Sequence, residues 1–221
     1  MVNDADRRFQ WVLAGLFLLL FVLLGIAPKD RHDWFMENAL VFLLLLALAA
    51  GHRQVRFSNS SAVLIVLFLC IHEVGAHYTY SLVPYDEWSQ KLGGGGLNAL
   101  LGWRRNNFDR LVHFSYGLLL VYPIREVLMR LTPLRGFWAS FLALDLVVST
   151  STLYELIEWI GGEYVGGDKA AVFIALQNDK WDPQKDIALA MLGAILALAV
   201  VLLLERTGVP RLNPPGQETS P

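Results

Sequence analysis

Six apolar runs, each about as long as a helix that crosses a bilayer, constrain this chain more than any other feature. Lipid offers the backbone no hydrogen-bonding partner, so a run of roughly 20 apolar residues must satisfy its own amides, which it does as a helix. The runs are 9–27, 34–50, 59–80, 109–131, 137–160 and 182–205. Asp182 is expected to be the N-cap of the last run, with Pro183 in its first turn. A content of 55% hydrophobic and 17% charged residues, with a mean hydropathy of +0.44, is too apolar for a soluble domain of this length. The expected fold class is therefore all-α, a polytopic membrane helical bundle of about six transmembrane helices. It forms one domain over residues 1–205, followed by a disordered polar tail over 206–221 that holds Pro210, Pro214 and Pro215. The first run exceeds a signal-peptide core, so it is read as a retained span.

With a net charge of −2, nothing suggests nucleic acid as a partner. One cysteine, Cys70, leaves neither a disulfide framework nor a thiolate metal site, and it reads as a small packing residue. Between the third and fourth runs, Gly93–Gly96 predicts a flexible joint. Leu97, Leu100, Leu101 and Trp103 then predict a short amphipathic element on the membrane interface, anchored to phosphates by Arg104 and Arg105. Six spans place both termini on one side. Lys and Arg divide equally between the two sides, but Arg53, Arg56, Arg125, Arg130 and Arg135 sit in or beside very short loops, so the termini are expected in the cytoplasm.

Polar residues interrupt the runs in a pattern. Glu73 and His77 close the third run, with Tyr80 on the same helical face. Asp109 and His113 open the fourth at i and i+4, with Tyr116 at i+7. Glu155 and Glu158 close the fifth, and Asp182 and Asp186 open the sixth. By parity all four stretches lie on the side opposite the termini, so eight acid or imidazole groups are expected at one depth. Singly, Asp109 is explained as a first-turn acid favoured by the helix dipole, and Asp182 as a cap. His72 falls about 100° from the Glu73 face and reads as a packing or interfacial residue.

Burying even four of these acids near the bilayer centre costs on the order of 10 kcal/mol, which a bound cation offsets. Mixed His and carboxylate donors suit zinc, manganese or iron better than calcium. The expected divalent-metal ligands are Glu73, His77, Asp109, His113, Glu155 and Asp182, with Glu158 and Asp186 as catalytic acid–base groups. Ion pairing of the acids with Arg110 or Lys185 is the purely structural alternative.

Four motifs carry a family resemblance: His72 to Tyr80, Arg105 to His113, Tyr154 to Trp159 and Gln177 to Asp186. Over residues 35–205 the chain resembles the bacterial inner-membrane family typified by YjdF. Asp109 to Gly117 and Asp182 to Gly193 are more distantly similar to the VanZ-like teicoplanin-resistance group. Asn178 and Ile187 depart from the first family's usual glycine and methionine, and neither is an expected ligand. The resemblance implies a multispan protein of the bacterial inner membrane.

Three functions compete. The first is a metal-dependent membrane hydrolase or transferase acting on a lipid-linked or phosphorylated amphiphile, with a di-iron oxidoreductase as a variant that lacks the usual Glu-x-x-His spacing. The second is an ion or metal transporter, whose polar path would pass through Asp145 and Ser149 to Thr152. The third is an assembly protein in which the cluster only locks helices together. The membrane lipid is the expected partner in each.

Overall fold

The computed structural model describes residues 4–51, 55, 57–93, 95–164 and 179–207, and among these the only regular elements are helices. In chain order they are α1 (Asp4–Gly25), α2 (Arg31–Gly51), α3 (Asn59–His77), α4 (Tyr85–Lys91), α5 (Leu97–Leu101), α6 (Phe108–Leu131), α7 (Gly136–Tyr164) and α8 (Asp182–Arg206). Six of them, α1, α2, α3, α6, α7 and α8, are long and apolar enough to cross a membrane. Large apolar side chains such as Leu19, Leu43, Phe137 and Leu203 point outward on these helices, which is the expected outer surface of a bundle solvated by lipid chains. The expected tail begins one residue early, because Arg206 is still helical; residues 208–221 lie outside the described residues, as do residues 165–178.

The centre of the bundle is the pair α6 and α8, which run parallel. A Cβ added to Gly117 would stand 1.8 Å from the carbonyl oxygen of Ala190, and one added to Gly193 would stand 2.2 Å from the carbonyl oxygen of Phe114. The two backbones therefore touch through facing glycines, as small residues allow in membranes. Val121, Ala143, Val147, Ala190, Ala194 and Leu198 form an apolar plug around this contact, joining α6, α7 and α8. On the other flank, α3 packs against α6 and α1, and α2 packs along α3.

At the terminal end, buried polar groups clasp the helices. Glu126 on α6 accepts hydrogen bonds from the Ser58 amide and hydroxyl, both at 2.9 Å, and from the Ser61 hydroxyl and Arg130. Arg125 donates to Ser140 at 3.0 Å and to Glu205 at 2.9 Å. Gln10 donates to Asn59 at 3.1 Å. These ties join α1 to α3, α3 to α6 and α6 to both α7 and α8.

At the opposite end α3 stops at His77, and the chain turns through Thr79 and Tyr80 with positive φ of 54° and 48°. Such angles strain residues with a Cβ. Tyr80 thereby leaves the Glu73 face it was expected to share, and folds back so that its ring covers Gly75. A Cβ there would come within 2.6 Å of the ring. After α4, Gly96, with φ of 85°, sits against the Asp86 carboxylate, while Gly94 of the expected glycine joint lies outside the described residues. Asp86 also accepts from the Asn98 amide at 2.7 Å. The expected amphipathic element is α5, with Leu100, Leu101 and the following Trp103 exposed. Arg105, expected to reach phosphates, instead meets Asp182.

Gly117→Ala should force a backbone shift and cost about 1–3 kcal/mol, the range for overpacking. Gly15→Ala, where nothing lies within 4 Å, should be neutral or stabilising. Thermal unfolding of the two variants in the same detergent measures the contrast.

Candidate functional site

The facing glycines bring the first turns of α6 and α8 together, one turn and more toward the non-terminal side. Asp109 and His113 on α6 and Asp186 on α8 are all buried, and one ligand-type atom from each lies within 4.8 Å of the others. His113 Nε2 is 3.6 Å from Asp109 Oδ1 and 3.2 Å from Glu155 Oε1, so α7 contributes a third helix. Asp186 Oδ1 and Glu155 Oε1 are buried and make no hydrogen bond. Four of the eight expected groups thus meet.

The other four lie around them. Asp182 is buried at the rim, where Arg105 donates to its Oδ1 at 2.6 Å and Arg110 at 2.9 Å. Its side chain serves this ion pair, and Trp181 takes the N-cap position expected for Asp182. Asp179 completes the rim, 2.7 Å from Arg110 and 2.5 Å from Lys185. For Asp182, the ion-pair alternative describes the geometry. Glu73 is wholly buried with neither oxygen hydrogen-bonded, and Asn38 of α2 faces it without completing a bond. His77 does not join the group: its Nδ1 lies 2.7 Å from the Leu24 carbonyl of α1, and its own carbonyl accepts from the Lys29 amide at 2.8 Å. It therefore ties the α1–α2 turn to the end of α3.

Glu158 belongs to a second constellation. Tyr154 of α7 donates to Glu37 Oε2 of α2 at 2.8 Å, and Glu158 faces the same hydroxyl. The Tyr154 ring stands edge-on to His113 at 5.8 Å between centroids. The Tyr80 hydroxyl lies 2.6 Å from His72 Nδ1, and Glu37, Glu73, Asp109 and Glu158 are all within electrostatic reach of it. Of the two roles expected for His72, packing or interfacial, the structure shows the buried one, with its ring inside the polar network. Asp33 and Glu37 escaped that reading, although they repeat the i, i+4 acid spacing at the non-terminal end of the second span, and both are buried.

The chain matches, over residues 9–207, the family described as "Predicted membrane protein (DUF2238)". It belongs to that family. "Inner membrane protein YjdF" of Escherichia coli (strain K12) is 34% identical to it over 193 residues, covering 85% of each chain. No solved structure matches the chain. The protein is thus a multi-pass membrane protein with a buried His/Asp cluster.

The rim gives a pH signature. The hydrogen bond from Lys185 is the largest influence holding the Asp179 carboxyl down to about 2, below its ordinary 3.8. A depressed acid contributes stability above its unfolded value and loses it as pH falls through the folded one. The stability difference between the unmutated protein and Asp179→Asn should therefore be constant from neutral pH down to about 5 and shrink only between about 4 and 2. Thermal unfolding of both proteins across that range checks it.

Proposed function

We propose that Asp109, His113 and Asp186 bind a divalent cation, with Glu155 beside them, in a membrane-embedded hydrolase or transferase acting on a lipid-linked or phosphorylated amphiphile. The carrying observation is a buried imidazole among carboxylates on three helices, with the Asp186 Oδ1 oxygen left without a hydrogen bond. Arg105 and Arg110 act on Asp109 through their field but are paired at the rim with Asp179 and Asp182, so they offset the charge of the cluster only in part. An ion bound at about 2.1 Å from each donor would offset the rest, and the N,O donor set suits zinc, manganese or iron.

In this reading Asp186 is a ligand, while Glu158, held beside the Tyr154 hydroxyl, is the general base. The cation would polarise the substrate or lower the pKa of a bound water. Arg105 and Arg110 at the rim suit a phosphorylated headgroup through fork-like contacts. Two observations favour an enzyme over its competitors. The apolar plug of Val121, Val147 and Leu198 lies between the cluster and the terminal end, and Asp145 points outward, so the polar path of a transporter is interrupted. A purely structural lock would pair its carboxylate oxygens, whereas here Asp186 Oδ1 is left without a hydrogen bond.

Metal analysis of detergent-purified protein from metal-replete cells tests the site. His113→Ala and Asp186→Asn should lower bound metal at least as far as the roughly 10- to 100-fold that loss of a supporting residue costs. His77→Ala should retain it. Absence of metal from the unmutated protein overturns the reading. The arginine density favours cytoplasmic termini and a cluster toward the outer face, and a C-terminal fluorescent-protein fusion should accordingly be bright; activity only of a C-terminal phosphatase fusion would invert the orientation.

A further inference from the structure

Glu73 stands apart from the other acids at this end of the bundle. It lies about one turn before α3 ends at His77, is wholly buried, and makes no hydrogen bond with either carboxylate oxygen. Asn38 of α2 is also wholly buried, and its side chain faces the Glu73 carboxyl where α2 packs along α3. The Asn38 side-chain nitrogen donates to the Trp34 carbonyl of its own helix at 2.9 Å, while Asn38 Oδ1 accepts no hydrogen bond. Three buried oxygens on two adjoining helices are therefore all acceptors without a donor.

The charged and titratable neighbours do not supply one. Cys70, His72 and His77 share α3 with Glu73, and Tyr80 follows it. Helix α2 brings Arg31, His32, Asp33 and Glu37 to this end, and α6 brings Asp109, Arg110 and His113, whereas α1 carries Asp4, Asp6, Arg7 and Arg8 at the other end. Both arginines at this end are engaged elsewhere, Arg31 with the Gly25 and Ile26 carbonyls and Arg110 with Asp179 and Asp182. His77 is held by the Leu24 carbonyl, and His72 by the Tyr80 hydroxyl.

One carboxylate beside a neutral amide calls for a single positive charge, because a divalent ion would leave a net charge in an apolar surrounding. A sodium ion needs more oxygen ligands than these three. A water would fill hydrogen bonds but leave the charge in place. A proton on Glu73 removes the charge and also turns one acceptor into an O–H donor, for which Asn38 Oδ1 is the open acceptor. The Tyr80 hydroxyl, 2.6 Å from His72 Nδ1, is within electrostatic reach of Glu73 and also of Glu37, Asp109 and Glu158, so it links Glu73 to the polar network around the cluster.

We propose that Glu73 and Asn38 form a proton-binding site, in which Glu73 carries an exchangeable proton donated to Asn38 Oδ1 and releases it by way of Tyr80. On release the Glu73 O–H bond breaks and its electron pair stays on the carboxylate. The Tyr80 oxygen takes that proton as its own passes to His72 Nδ1, so the net charge of the network is unchanged. The site stands whether or not Asp109, His113 and Asp186 bind a metal.

Infrared spectroscopy of the full-length protein in nanodiscs tests this. The unmutated protein at neutral pH should show the carbonyl stretch of a protonated carboxyl that Glu73→Gln, a neutral isostere, lacks. The band should shift downward in heavy water and be lost at alkaline pH. Asn38→Leu, which removes the acceptor, should move the band to higher frequency, a readout that does not depend on the folding of Glu73→Gln. Tyr80→Phe keeps the ring over Gly75 and should slow the shift in heavy water without moving the band. Absence of the band, or a band that Asn38→Leu leaves in place, overturns the site. A band that neither heavy water nor alkali changes marks a fixed structural acid and overturns the exchange. Loss of the band at constant pH when sodium chloride replaces choline chloride overturns the proton in favour of sodium. An unchanged exchange rate in Tyr80→Phe overturns the route.

Discussion

The backbone contact between α6 and α8 at Gly117 and Gly193 sets the rest of the structure. In a membrane there is no hydrophobic force to press helices together, so close approach through small residues supplies the van der Waals energy of association. Here it also sets register. With Gly117 against Ala190 and Gly193 against Phe114, the turns that begin α6 and α8 arrive side by side, and His113 and Asp186 meet. A bulkier pair would hold the helices farther apart and separate the groups that form the cluster.

Charge is distributed by depth. The outermost acids, Asp179 and Asp182, are matched by Arg105, Arg110 and Lys185 in an ion-pair network. One or two turns inward, Asp109, Glu155 and Asp186 gather around one imidazole, and the guanidiniums of Arg105 and Arg110 reach Asp109 only through their field. Burial without compensation is costly in a medium of low dielectric, and the cost is tolerated where a function needs the groups. The terminal end shows the contrast. There Glu126 is equally buried but has its oxygens filled by Ser58, Ser61 and Arg130, which is the pattern of a structural tie.

Six spans were legible in the sequence because a long apolar run has few alternatives in lipid, and the family seen in its four polar motifs was the family the chain belongs to. The boundaries moved: α7 continues to Tyr164, and α3 ends at His77, after which the Tyr80 ring folds back over Gly75. Parity correctly put the polar stretches at one end, but it could not tell which would touch. His77 and Glu73 share a helical face, yet His77 ties α3 to α1 while Glu73 faces Asn38 of α2. Asp33 and Glu37 were passed over because they sit in a leucine-rich run with no histidine beside them to draw attention.

What the sequence determined by itself was the set of helices and the end of the bundle at which its acids and imidazoles gather, because both follow from local hydropathy, helical period and the alternation of spans. Which helices would be neighbours was decided only in three dimensions. Two glycines far apart in the chain select the α6–α8 pairing and its register, and with it a cluster of Asp109, His113, Glu155 and Asp186 in place of the larger set that shared a depth. The tie from Glu37 to Tyr154 depends on how α2 and α7 face each other around that pair, a relation that no periodicity in either helix encodes.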